Sequence, residues 1–155
     1  MAYKNPYDER RIQKDFEYMN SERGYVTRAI SNKLKPSYKK YGGHVPEIDK
    51  KEFWRLYMNH IIKMKEKFPG STGRLCIYCE RPFTFKARRG TRGKGYQGRG
   101  GQIKTNFSID RYDPRITYKV NNVVFCCVDC NEKKKNSNPD DWLNFIRIGK
   151  ELYKT

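Results

Sequence analysis

Two oxygen-bearing side chains, Asp110 and Asn131, stand where they could hold a hard cation. Asp110 follows a short alternating apolar run at residues 107–109, a pattern that predicts a strand. Asn131 follows a second apolar run at residues 123–126 and opens a polar segment that can be helical. Carboxylate and amide oxygens suit a divalent ion such as Mg²⁺. The order strand, loop, strand, helix therefore predicts one face on which these two side chains meet.

Four of the five cysteines form two pairs of equal spacing, Cys76-x-x-Cys79 and Cys127-x-x-Cys130. The two-residue gap lets a single tight turn present both sulfurs. Two such pairs supply four thiolates, the ligand set of a tetrahedral structural Zn²⁺ site. A site of this kind has no open position for a substrate water, so we expect it to be a scaffold. Cys126 ends an apolar run and is interpreted as a small core residue.

Helices are predicted in the N-terminal part of the chain. Apolar residues at helical spacing, with proline or capping residues at the ends, place helices at residues 6–19, 25–34 and 49–68. Asp49 and Glu52 start the third helix with the spacing of a capping box. The apolar stripe that follows them is interpreted as core packing.

A last helix is predicted from the Asn138-Pro139 start signal to about residue 153, where it closes the core. The chain is therefore divided into a helical extension over residues 1–70 and a second unit over residues 71–155. The predicted fold class is α+β.

The composition points to a polyanionic partner. The chain of 155 residues has 34 Lys and Arg against 17 Asp and Glu, which gives a formal net charge of +17. This excess favours nucleic acid as the partner. No apolar run is long enough for a transmembrane helix, and the N-terminus lacks the apolar core of a signal peptide. We therefore expect an intracellular, reducing compartment, cytoplasmic or nuclear, in which the cysteines bind metal.

A basic, glycine-rich loop is predicted over residues 86–104. This stretch contains no acidic residue, and its glycines make it flexible. We expect it to grip phosphates and to gain order on binding. The residues predicted to contact nucleic acid are Arg88, Arg89, Arg92, Lys94, Arg99 and Lys104, together with Lys134 in the helix after the second cysteine pair.

Residues 75–136 resemble the HNH endonucleases, in the subgroup whose two CxxC knuckles flank a ββα-metal fold. The segments similar to the three family elements are Ser108-Ile109-Asp110-Arg111, residues 118–123, and Cys127-Val128-Asp129-Cys130-Asn131. The resemblance implies metal-dependent hydrolysis of phosphodiester bonds, most simply in DNA. It implies that Asp110 and Asn131 hold one catalytic Mg²⁺ or Mn²⁺. It also implies that Asn122 fixes the loop and orients the general base.

The sequence departs from the family at Arg111, which stands where the family has its catalytic histidine. Arginine stays protonated and cannot act as a base. Arg111 could clamp the phosphate while His44 or Tyr112 activates water. Alternatively, the metal could supply hydroxide with no side-chain base, at a cost of about 10²–10⁴ in rate. A third alternative is a non-catalytic, zinc-containing nucleic-acid-binding protein or a subunit of a nucleoprotein assembly.

Overall fold

The computed structural model describes residues 9–35, 45–86, 103–135, 137 and 139–152. In this part of the chain three helices precede a two-stranded sheet, and two more helices follow it. The elements are α1 (Glu9–Met19), α2 (Glu22–Lys33), α3 (Lys50–Lys67), β1 (Phe107–Arg111), β2 (Val123–Cys127), α4 (Val128–Lys134) and α5 (Pro139–Leu152). The predicted α+β class is confirmed.

The N-terminal helices begin at side chains that bind free backbone amides. Ser21 Oγ accepts a hydrogen bond from Gly24 N at 3.1 Å, so α2 starts three residues before the predicted position. Asp49 Oδ1 accepts from Glu52 N at 2.8 Å, which confirms the predicted start of α3. Such caps satisfy amides that have no partner within the helix. The predicted first turn of α1 and the predicted cap of α5 lie outside the described residues.

The two strands form an antiparallel hairpin whose faces carry different residues. Phe107 pairs with Cys127, and Ile109 pairs with Phe125. Because side chains alternate along a strand, these residues share one face, while Ser108 and Asp110 lie on the other. The first face packs on α2 and α3, and α4 covers the second. The helix that carries Asn131 therefore lies over Ser108 and Asp110.

An aromatic cluster fills the space between α3 and the sheet. The ring centroid of Tyr57 lies 5.0 Å from that of Phe107 and 5.2 Å from that of Phe125. The same buried cluster includes Val26 and Ile30 of α2. The helical segment before residue 70 thus shares one core with the segment after it.

A glycine turn connects α3 to the first cysteine pair. Gly73 has a φ of +74°, and a Cβ added there would lie 2.2 Å from the carbonyl oxygen of Ile61. Only glycine fits this turn, because both the backbone angle and the contact exclude a side chain. In the part of the chain that the structure describes, no helix is long and apolar enough to span a bilayer.

Candidate metal centre and adjacent carboxylate site

The four paired cysteines converge on one point. The sulfurs of Cys76, Cys79, Cys127 and Cys130 all lie within 4.8 Å of one another, and those of Cys79 and Cys127 are 3.8 Å apart. Tetrahedral zinc bonded to sulfur at about 2.3 Å would place its ligands about 3.8 Å apart. The donor set and the spacing therefore fit a closed tetrathiolate metal site. The prediction that these four residues are positioned to hold a metal ion is confirmed.

The fold brings the two cysteine pairs together through backbone hydrogen bonds. Ile77, between the first two cysteines, donates from its amide to Phe125 O of β2 at 3.1 Å. Cys127 ends β2 and also caps α4, since its sulfur accepts from Cys130 N at 3.5 Å. The hairpin and the start of α4 therefore set the position of both pairs.

Hydrogen bonds among the four thiols lower the pKa values of Cys79 and Cys127 and raise those of Cys76 and Cys130. Hydrogen bonds from the neighbouring thiols, Cys127 first, and from Arg81 lower the pKa of Cys79. Hydrogen bonds from Cys130 and Cys76 lower the pKa of Cys127 to about 7. Arg81 Nε lies 3.5 Å from the sulfur of Cys79, so a guanidinium offsets part of the negative charge. Two of the four thiols therefore ionise readily, and binding of a metal would have to displace the protons of the other two.

Cys126 does not join the group. Its side chain is fully buried on the α4 side of the sheet, where its backbone pairs with Ser108. Burial raises its pKa well above the usual value. The interpretation of Cys126 as a core residue is confirmed.

Asp110 and Asn131 lie at the same interface between β1 and α4. The side-chain amide of Asn131 donates to Ser108 Oγ at 2.8 Å. One helical turn later, Lys134 Nζ lies 2.9 Å from Asp110 Oδ2. Ser108 and Asp110 are neighbours on one strand face, so Asn131, which contacts Ser108, and Lys134, which contacts Asp110, lie at successive positions along this interface. Carboxylate and amide oxygens at one interface are a donor set that fits Mg²⁺ or Mn²⁺.

Lys134 corrects a prediction made from the sequence. Its side chain has no exposed surface, and its ammonium also donates to Arg111 O at 2.7 Å. A fully buried ammonium that binds two protein oxygens cannot contact a phosphate of nucleic acid. The prediction for Lys134 is therefore wrong, because a lysine one turn after Asn131 must point at the sheet rather than at solvent.

Tyr78 is a further partner of Asp110, and the sequence interpretation missed it. It stands between Cys76 and Cys79, is 3% exposed, and donates from its hydroxyl to Asp110 Oδ2 at 2.9 Å. Burial, followed by the charge of Asp110, raises the pKa of Tyr78, which keeps the phenol neutral. No sequence signal marks this hydroxyl, since a tyrosine between two cysteines is equally suited to core packing.

Asn122 organises the loop between the strands. Its Oδ1 accepts from Asp113 N at 2.7 Å, and its Nδ2 donates to the carbonyls of Asp113, Ile116 and Thr117 at 3.0, 3.0 and 3.1 Å. The side chain is buried, with 4% exposure of the residue. Asn122 therefore holds the loop by four contacts.

Arg111 also binds the loop. Its guanidinium donates to the carbonyls of Pro114 and Ile116 and lies over the ring of Tyr118, 5.8 Å from the ring centroid. The planar face of the guanidinium contacts the ring, and its N–H groups bind the carbonyl oxygens. In this arrangement Arg111 stabilises the loop.

A cleft of about 350 Å³ lies along this loop. Its lining includes Tyr112, Lys119 and Asn121 from the loop and Asp140 from α5. Tyr112 donates from its backbone amide to Asn122 O at 2.9 Å, which extends the hairpin beyond Asp110. The cleft is therefore lined by the loop between the strands and by α5, and neither Asp110 nor Asn131 is among its lining residues.

No imidazole lies beside Asp110 among the described residues. His60 is on the other face of the sheet, where its Nε2 donates to Leu75 O at 2.7 Å and its ring meets Phe125 edge-on. Burial lowers the pKa of His60, so it is neutral. His44, a predicted candidate for the base, lies outside the described residues.

The ends of the predicted basic loop are held together. Asn106 is 4% exposed, accepts from Lys86 N at 3.0 Å and donates to Lys86 O at 3.0 Å. Lys104 is exposed and pairs with Glu132 of α4. The other predicted contacts, Arg88, Arg89, Arg92, Lys94 and Arg99, lie outside the described residues.

Comparison with known proteins gives no relative. No protein-family model, curated protein or solved structure matches this chain.

Proposed function

We propose that this protein is a zinc-stabilised, metal-dependent endonuclease of the HNH type that hydrolyses phosphodiester bonds in DNA. The observation that supports the proposal is that Asp110 of β1 and Asn131 of α4 both have their side-chain contacts at the interface of these two elements. A protein that only binds nucleic acid has no need of this pair. The net charge of +17 supports a nucleic-acid substrate.

Zn²⁺ is the proposed ion of the four-cysteine centre. Four thiolates at this spacing bind zinc in closed structural sites, where the metal contributes directly to folding. The centre connects the turn after α3 to the start of α4. We therefore assign it the role of holding α4 against the hairpin.

Asp110 and Asn131 are the proposed ligands of a catalytic Mg²⁺ or Mn²⁺. When bound, such an ion supplies charge stabilisation to the scissile phosphate and lowers the pKa of a bound water. The protein's own residues orient these ligands: Ser108 holds the Asn131 amide, and Tyr78 and Lys134 hold one oxygen of Asp110. Asn122 fixes the loop that borders the site. Among the described residues, no imidazole that could act as a general base lies next to Asp110.

A second candidate is a non-catalytic nucleic-acid-binding protein. The ion pair between Lys134 and Asp110 favours it, because an ammonium already neutralises the carboxylate that would bind the cation. Arg111 favours it too, since its contacts with Pro114 and Ile116 are those of a loop-stabilising residue.

Plasmid nicking with Mg²⁺ or Mn²⁺ distinguishes the two candidates. The variants are Asp110→Ala and Asn131→Ala, with Asp141→Ala and Asn144→Ala as controls, because both control residues are exposed on α5. Loss of a metal ligand should slow nicking about 10²-fold or more, because the ion supplies several kcal/mol. The controls should match the wild type.

If all five proteins behave alike, the nuclease proposal fails. The binding candidate predicts that all five shift DNA equally and that the affinity falls steeply with salt. It also predicts that replacing Arg88, Arg89 and Arg92 weakens binding to every sequence alike.

A further inference from the structure

Asp110 is held by two donors that come from different parts of the fold. The Tyr78 hydroxyl, which belongs to the first cysteine turn, donates to Oδ2 at 2.9 Å. The Lys134 ammonium, which belongs to α4, reaches the same oxygen at 2.9 Å. Both donors are buried, with 3% and 0% exposure, so their positions are set by packing.

The two donors leave one oxygen of Asp110 for other ligands. A carboxylate has two oxygens with about two acceptor sites each. Tyr78 and Lys134 both reach Oδ2, and a tenth of the Asp110 side-chain surface stays exposed. Oδ1 is therefore the oxygen of Asp110 that could bind a cation. Its direction is set by the hydrogen bonds of Tyr78 and Lys134 to Oδ2, because both oxygens belong to one rigid carboxylate.

The position of Tyr78 in the chain links its hydroxyl to the four-cysteine centre. The residue stands between two ligands of the four-cysteine centre, so a metal there fixes the backbone on both sides of it. Its ring packs edge-on against Trp142 at 6.2 Å between centroids, a contact that phenylalanine would make equally well. The hydroxyl adds nothing to that packing, and its described bond goes to Asp110.

We propose that Tyr78 is a positioning residue that couples the four-cysteine centre to the divalent-cation site by orienting the Asp110 carboxylate. This inference rests on the proposed function, since it assumes that Asp110 binds a divalent cation. In this proposal the four-cysteine centre fixes the position of Tyr78. Tyr78 and Lys134 then fix Oδ2 of Asp110, which turns Oδ1 of Asp110 toward the cation. Partners of this kind orient metal ligands and are typically worth 10–100-fold in metal affinity.

The test compares Tyr78→Phe with the wild type in zinc-loaded protein. Tyr18→Phe is the matched control, because Tyr18 is 48% exposed, and Asp110→Ala gives the baseline without a ligand. Binding of Mn²⁺ is followed by the loss of its free-ion electron paramagnetic resonance signal. We expect Tyr78→Phe to bind Mn²⁺ about 10-fold more weakly, with unchanged zinc content and circular dichroism, and Tyr18→Phe to match the wild type.

A second readout separates positioning from folding. The Mn²⁺ concentration that gives half-maximal nicking should rise about 10-fold for Tyr78→Phe, and the rate at saturating Mn²⁺ should return close to that of the wild type. A variant that is only partly folded would lower the maximal rate and leave the half-maximal concentration unchanged.

Three results would overturn the inference. Equal Mn²⁺ affinity of wild type and Tyr78→Phe would overturn it while the proposed function stands. Loss of zinc from Tyr78→Phe would show that the hydroxyl serves the fold. A wild type that binds no more Mn²⁺ than Asp110→Ala would remove the proposed function and this inference with it.

Discussion

Replacing Asn122 by alanine should release the loop between the strands. The Asn122 side chain accepts one hydrogen bond from Asp113 N and donates two hydrogens to three carbonyls, those of Asp113, Ile116 and Thr117. Alanine removes all of these contacts at this buried position. The carbonyls of Asp113 and Ile116 keep their contacts with Ile116 N and with Arg111, whereas the amide of Asp113 and the carbonyl of Thr117 lose their side-chain partner.

The expected loss of stability follows from the number of hydrogen atoms that form these hydrogen bonds. Three hydrogens bridge the four contacts, and each intramolecular hydrogen bond contributes about 1 kcal/mol net. The loss of free energy of unfolding for Asn122→Ala should therefore be about 3 kcal/mol. For a chain of this size, that corresponds to a fall in Tm of roughly 6–12 °C.

Thermal unfolding with saturating zinc measures this effect, with Asn121→Ala as the control. Asn121 is the adjacent residue and is exposed, so its replacement should change stability by no more than about 0.5 kcal/mol. Amide hydrogen exchange adds a local measurement, since the Asp113 amide should lose protection in Asn122→Ala. Equal Tm values for the two variants, with the Asp113 amide still protected, would refute the reasoning.

Three further predictions concern the metal centre, a turn and a histidine. Cys130→Ser, like treatment with a chelator, should remove the metal and unfold the segment around the centre; soluble, zinc-free protein with unchanged circular dichroism would contradict this. Gly73→Ala should cost about 3 kcal/mol or more, because a positive φ costs about 1–2 kcal/mol and the new Cβ also meets Ile61 O. Gly70 has a similar φ of +87°, but a Cβ added there would meet nothing within 4 Å, so Gly70→Ala should lower the free energy of unfolding by denaturant by only about 1–2 kcal/mol. Equal losses for the two variants would count against the contact between the new Cβ at residue 73 and Ile61 O. Burial lowers the pKa of His60 below 6.5, so the unfolded state binds more protons between the two pKa values and stability should fall as pH drops below about 6.5; His60→Gln should flatten this slope, and parallel pH profiles would disprove it.

The cysteine centre could be predicted because its signal is local. Each CxxC pair sets two sulfurs on one turn, and two pairs of equal spacing suggest one metal. The start of α3 was equally predictable, since Asp49 and Glu52 mark a cap by residue type and spacing. Such features depend on a few neighbouring residues, and tertiary packing seldom overrides them.

The start of α4 differs from the prediction for a physical reason. The helix begins at Val128 rather than at Asn131, because the sulfur of Cys127 serves as its cap. Cysteine is not among the usual capping residues, so the sequence gives no such signal. Asn131 therefore lies one turn inside the helix, and this position turns its side chain toward Ser108.

The roles of Lys134 and Tyr78 depend on how the elements pack against each other. A lysine in a polar segment is usually solvated, and only the register of α4 on β1 buries this one over Asp110. The spacing agrees with this packing. Asn131 and Lys134 are three residues apart and lie on one face of the helix, and their partners Ser108 and Asp110 are two residues apart and lie on one face of the strand. The contact of Tyr78 joins residues 32 apart in the chain, and local patterns do not report such distances.

Anomalous diffraction from crystals grown with Zn²⁺ and soaked in Mn²⁺ tests the central claim most directly. We predict a zinc peak among the four cysteine sulfurs and a manganese peak bonded to Asp110 Oδ1 and the Asn131 amide oxygen, with Tyr78 and Lys134 still on Oδ2. Zinc at the cysteines with no manganese near Asp110 would contradict the cation site and leave a zinc-stabilised binding protein. Folded protein with no metal among the four cysteine sulfurs would contradict the claim that zinc stabilises the fold.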